Sequence, residues 1–277
     1  MIAIFKSLRF RVKTLTTNLG KGALSLLCVL LCFSAASVRA DDTGQVKKDK
    51  ARRIEQIYYQ ALKQFKASND YETAWKAAHA CFEWAEFATK DPDRARLAQE
   101  GISAARRAIQ LNPKGASGYH YLAMNLGQLA RTRKLSALKM VDEMEESFLK
   151  AAELQPRLDY AGPHRSVGLL YREAPGWPIS VGSKTKARQH LQKAVELCPE
   201  FPENHLALLE TYLKFGDYKA ATNALPAAEK CLKEAPPKFS GKEWEESWED
   251  WRERWEQMKA KVFSSKYYRS SRQQALR

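Results

Sequence analysis

The sequence has no glycine-rich phosphate loop, no His-Glu-x-x-His pair and no serine set in a nucleophile elbow. These absences argue against a P-loop nucleotide enzyme, a zincin-type protease and an α/β-hydrolase in turn. The five histidines (His79, His120, His164, His190 and His205) are spread over different expected helices, so no metal set is expected. Cysteine is scarce as well. Beyond residue 40 only Cys81, Cys198 and Cys231 remain, an odd number at spacings that fit no zinc pattern. Each falls on an apolar helical face, where a thiol serves as a small buried hydrophobe. No disulfide framework is called for, because a chain of 277 residues can bury a core. Paired carboxylates such as Glu145–Glu146 lie among alternating charges, the pattern of a solvated face. Neither catalysis nor a cofactor is expected.

There is one long apolar run, the 15 residues from Gly22 to Ala36. A basic, acid-free stretch holding Lys6, Arg9, Arg11, Lys13 and Lys21 precedes it, and Val38–Arg39–Ala40 offers a cleavage site. That is the layout of a secretory signal peptide, and the run is short for a spanning helix. Residues 1–40 are therefore expected to be removed, leaving a periplasmic or secreted chain that starts at Asp41. A retained leader would act as a membrane anchor instead. Cys28 and Cys32 each follow leucine, so no lipid-attachment pattern is expected. The leader carries six basic residues and no acid, so a formal net charge of +14 falls to +8 beyond it. That charge favours acidic partners and solubility and makes no case for nucleic acid.

Past a polar stretch at 41–50, expected to be flexible, the chain reads as helix after helix. Ile54, Ile57, Tyr58, Ala61, Leu62 and Phe65 recur at helical spacing. Asn69–Asp70 breaks that helix and caps the next, which carries Ala74, Trp75, Ala78, Cys81, Phe82 and Ala85. A partner helix follows with Leu97, Gly101, Ala104, Ala105 and Ala108, small residues that let two helices cross closely. Pro113, Pro156 and Pro199 then close three successive helices at steps of 43 residues. A fixed step of this kind marks stacked helix pairs, which usually bind rather than transform.

These residues resemble the tetratricopeptide repeat. Trp75, Ala78 and Phe82 lead to Gly101, Ala105, Ala108 and Pro113; Tyr119, Leu122, Ala123 and Leu126 lead to Phe148, Ala151 and Pro156. His164, Val167, Gly168 and Tyr171 lead to Ala187, Leu191, Ala194 and Pro199, and His205, Leu208 and Tyr212 to Ala221, Leu225 and Ala228. The resemblance implies an all-α, right-handed superhelix of hairpins over residues 51–237. Extra residues lie between first and second helices near Thr132–Lys139 and Ala174–Ser183. The segment 162–178, ending Ala174–Pro175–Gly176–Trp177–Pro178, is similar to TatT, the periplasmic repeat protein associated with TRAP transporters. That likeness implies a periplasmic solute-binding protein as partner. Similar repeats occur in eukaryotic regulators of microtubule dynamics, against which the leader argues. The alternative is an envelope adaptor that captures peptide segments.

In tetratricopeptide repeats the first helix of each pair lines the concave face, and its fifth position points inward. The resemblance places Lys76, His120 and Arg165 there, with Gln128 and Arg172 nearby. Clustered cations suit a carboxylate or another anion, so a small anionic ligand is expected beside the protein partner, with an apolar one as the alternative. Trp177, in the Pro-rich loop, is a further candidate contact.

After Pro236–Pro237, Trp244, Trp248, Trp251, Trp255, Met258 and Val262 form a heptad seam. An amphipathic helix over 238–263, opened by a Ser240/Glu243 capping box, is expected to cap the array. Self-association is the alternative. Residues 264–277 read as a basic, disordered tail.

Overall fold

The computed structural model describes residues 29–133, 137–265 and 268, with side chains from residue 48 onward. Ten α-helices and no strand occur among these residues. α1 (Val29–Ser68) leads into four antiparallel hairpins. They pair α2 (Tyr71–Phe87) with α3 (Asp91–Leu111), α4 (Ala116–Thr132) with α5 (Ala137–Leu154), α6 (Gly162–Glu173) with α7 (Lys184–Leu197), and α8 (Pro202–Lys214) with α9 (Tyr218–Glu234). α10 (Glu245–Ser264) closes the series. First helices touch first helices along the array, α2 to α4, α6 to α8 and α8 to α10, as stacked hairpins require.

The helix starts follow local chemistry. Asp70 caps α2 by accepting from the Thr73 amide at 2.8 Å. Asp217 caps α9 through the Ala220 amide at 3.2 Å. α3, α6 and α8 start with proline in their first turn, where no amide donor is lost. The seams are made by small residues. A Cβ on Gly101 would sit 2.1 Å from Asn125 Oδ1. That approach lets the buried Asn125 reach across from α4 and donate to Ala78 O at 2.9 Å, a long-range bond joining first helices α2 and α4.

One apolar core runs through the first three hairpins, from Ala77 and Phe82 to Phe148 and Tyr171. A second joins the last hairpins to α10 through Leu191, Phe201, Leu209, Tyr212, Leu225, Phe239, Trp251 and Val262. Cys81, Cys198 and Cys231 are free and buried. Burial pushes the Cys81 and Cys231 thiols up to about 12 and raises that of Cys198.

Three expectations need correction. Residues 41–50 are not a loose segment: they lie inside α1, because Lys, Gln and Asp tolerate helix and Gly44 is the lone breaker. Lys50, near the start of the described side chains, pairs with Glu246 at the head of α10, so the first and last helices meet. The Ser240/Glu243 capping box is absent. Gly241 turns the chain at φ +99°, and α10 starts at Glu245 with Trp244 as N-cap and no side-chain cap bond. Trp244 instead packs edge-on against Phe239, centroids 5.0 Å apart. Of the leader, residues 1–28 lie outside the described residues, as do residues 134–136 of one insertion. Most of the tail lies outside them too, but Ser265 and Tyr268 are placed against the end of α10, the Tyr268 ring 4.7 Å from that of Phe263.

Candidate functional site

The first helices carry charge in rows, and the stacking brings successive rows together. Between α2 and α4, Arg131 Nη1 donates to Glu86 at 3.0 Å and to Gln128 Oε1 at 2.9 Å, while Gln128 also bonds Glu86. Between α6 and α8, Arg172 reaches Glu210 and the Thr211 hydroxyl at 3.5 and 3.3 Å, and Lys214 returns to Glu173. At the end of the row Arg254, from α10, binds Glu203 at 2.7 Å, Glu210 at 2.8 Å and Asp250 at 2.9 Å. Burial alone would lower the Arg254 guanidinium, but Glu203 and Glu210 hold it well above its ordinary value. The row is a chain of internal ion pairs, closed at one end by the cap.

This geometry redistributes the expected anion site. Lys76 is half exposed and pairs with Glu72 at 3.3 Å on its own helix. His120 is fully buried against Phe148, rings 5.7 Å apart, and burial pulls its imidazole down to about 3. It is a neutral packing group at neutral pH, not a cationic donor. Arg165 is 1% exposed. It donates to Asn204 Oδ1 at 2.8 Å and to the carbonyls of Tyr160 and Asp159 at 3.1 and 3.4 Å, with Phe201 against its plane at 5.2 Å. Those carbonyls belong to a run in which Asp159, Tyr160 and Ala161 stand at φ +49°, +52° and +61°. Left-handed backbone without glycine costs roughly 1–2 kcal/mol per residue, so Arg165 pins a strained turn. Gln128 and Arg172 face their acidic neighbours in the row. The expected register therefore yields no free cationic cluster. Gln128, Arg165 and Arg172 do face neighbouring repeats, but their partners are Glu86, Asn204 and Glu210 of the same chain.

Trp177 is different. It is 88% exposed, and Ile179 beside it is 66% exposed. The loop that carries them is braced. The Ile179 amide donates to Gly176 O at 3.0 Å, Gly182 to Pro175 O at 2.8 Å and Ser183 to Tyr171 O at 3.0 Å. Several loop amides are thus paired internally, and two large apolar side chains stand out in water. A lone exposed apolar residue is ordinary, and here two stand side by side on one loop tip. A second feature has no signature in the sequence: an open cleft of about 600 Å3 between the end of α9 and α10, lined by Leu232, Pro236, Phe239, Trp248, Glu249 and Trp255 among others.

A solved tetratricopeptide repeat protein of Thermus thermophilus, TTC0263, superposes at a TM-score of 0.56 with 20% identity, covering 77% of this chain and 94% of that one. The fold is tetratricopeptide-like. Residues 39–161, from α1 to the turn before α6, match the family model described as "Regulator of microtubule dynamics protein 1-3". Regulator of microtubule dynamics protein 1 of Bos taurus is 27% identical over 59% of this chain and 56% of its own length; that of Pongo abelii is 28% identical over the same shares. The chain thus spans just over half the length of these curated relatives. The family-model match ends at residue 161, ahead of the Trp177 loop and α10.

Proposed function

We propose that the chain is a non-catalytic, tetratricopeptide-like scaffold that docks a protein partner through the Trp177–Ile179 tip. The observation that carries this reading is the exposure of those two side chains on a loop whose backbone is already tied down. A rigid aromatic knob loses little entropy on docking, which is why tryptophan concentrates at the centres of interfaces. The paired row on the first helices supports the same reading in another way. Its charges are already spent on each other, which leaves the tip as the stronger contact. Capture experiments with the wild-type chain and Trp177→Ala test it. The variant is expected to unfold at the same temperature, since an exposed side chain contributes little to the core, and to lose its specific partners. Identical captured sets from both chains would overturn the reading.

The partner's class has two proposals behind it. The likeness of residues 162–178 to TatT supports a periplasmic solute-binding protein, with the chain exported after cleavage before Asp41. The match over residues 39–161 supports a regulatory adaptor, because the family matched there is described as a regulator of microtubule dynamics. No helix among the described residues is long and apolar enough to cross a membrane. Sequencing the N-terminus of the expressed protein separates the proposals. Asp41 as first residue is the result expected for export, and a retained leader favours the adaptor.

A further inference from the structure

The sequence scatters its histidines, and the fold brings two of them together. His164 stands one turn before Gly168 on α6, and His190 directly precedes Leu191 on α7. A Cβ on Gly168 would lie 2.8 Å from Leu191 Cγ and 3.3 Å from Ala187 O, so the two helices cross closely at that point. The crossing sets His164 Nδ1 3.1 Å from His190 Nδ1, with ring centroids 5.3 Å apart. Both rings are partly exposed.

We propose that His164 and His190 form a two-imidazole clamp for a divalent transition-metal ion of the zinc or copper(II) class, bridging α6 and α7. Metal–imidazole bonds of about 2.0–2.1 Å put two nitrogens roughly 3.3 Å apart at a tetrahedral angle and roughly 2.9 Å apart at a right angle. The observed 3.1 Å, spanned by a hydrogen bond between the rings, falls between these values, so an ion replacing that shared proton needs little change in the nitrogen separation. Imidazole is the ligand that this class of ion prefers among side chains free of sulfur.

The surroundings agree. The charged and titratable groups near the pair are Lys186 and Lys193 on α7, Glu145 on α5 and Tyr171 on α6. Burial, then His164 and Lys186, pull the His190 imidazole down to about 4, and burial lowers His164. The two Nδ1 atoms share one N–H in a hydrogen bond, and an ion can take that proton's place once the donor ring carries its hydrogen on Nε2 instead. Glu145 is held by the Tyr171 hydroxyl at 2.5 Å and by Lys186 at 3.3 Å, so it is not poised as a third ligand. Among the described residues no cluster of three or more potential ligands occurs. The remaining positions of the ion fall to water or to a group supplied by a docked partner.

The test uses the full, untagged chain with Cu2+ or Zn2+ alone. One ion per chain should bind, and Zn2+ should raise the unfolding temperature by cross-linking α6 to α7. His164→Ala and His190→Ala should each weaken binding by about tenfold or more. Equal binding by the variants, or none by the wild type, overturns the proposal. Copper paramagnetic resonance of the wild type decides the case even if a variant unfolds. Coupling to two imidazole nitrogens is the expected signal, and a spectrum without it refutes the clamp.

Discussion

In urea unfolding, Arg254→Ala should be less stable than the parent chain by about 3–5 kcal/mol. One guanidinium from α10 serves Glu203 and Glu210 on α8 and Asp250 on its own helix. Its side chain is only 15% exposed, and those of Glu203 and Asp250 are 10% and 4% exposed. Removing it leaves Glu203 in a poorly solvated seam without its guanidinium partner, and Glu210 with only the longer contact to Arg172. The cost lies in that orphaned charge more than in the lost bonds. A loss below about 1 kcal/mol, the worth of an exposed pair, would show that water reaches the seam and that the aromatic residues alone hold the cap.

Trp251→Ala should cost a similar amount, about 3–5 kcal/mol, as a core truncation. Trp251 is fully buried, edge-on to Phe201 at 5.6 Å and to Trp248 at 4.9 Å. Its indole Nε1 donates to Glu203 at 2.9 Å, so the same substitution also strips a donor from the ion seam. The two sites share Glu203, and the double variant should therefore lose less than the sum of the single ones. A chain that stays equally stable while a dimer falls apart in sedimentation would instead make α10 an association helix.

The repeat architecture was legible because its signals are local. Helical spacing of apolar residues, the Asp70 cap and prolines every 43 residues each need only neighbouring sequence. The expectation that Trp248, Trp251 and Trp255 face inward rests on the same periodicity; Trp251 and Trp255 are buried, and Trp248 is only partly so, its indole donating to Phe239 O at 2.7 Å. What stayed hidden depends on separation in sequence. Arg254 meets Glu203 across 51 positions and Arg165 meets Asn204 across 39. No spacing rule reveals that a cation placed toward a groove is already taken. The left-handed run at Asp159–Ala161 was equally hidden, since none of these residues is glycine. Its stability comes from Arg165 and Asn204, which lie beyond the turn itself. Trp177 could be singled out because a proline-rich insertion is visible in sequence, but its exposure needed the braced loop to be seen.

The three buried thiols divide the array unequally. Cys81 sits in α2 near the front, Cys198 caps the end of α7, and Cys231 lies in α9 beside the final helix. Each is shielded, and burial keeps each in its unreactive protonated form. Alkylation of any one therefore requires its own stretch of the solenoid to open, which makes the cysteines natural clocks at three stations along the chain. Because each repeat leans only on its neighbours, the order in which they become labelled records whether the array frays from its leading helices or peels back from its closed end.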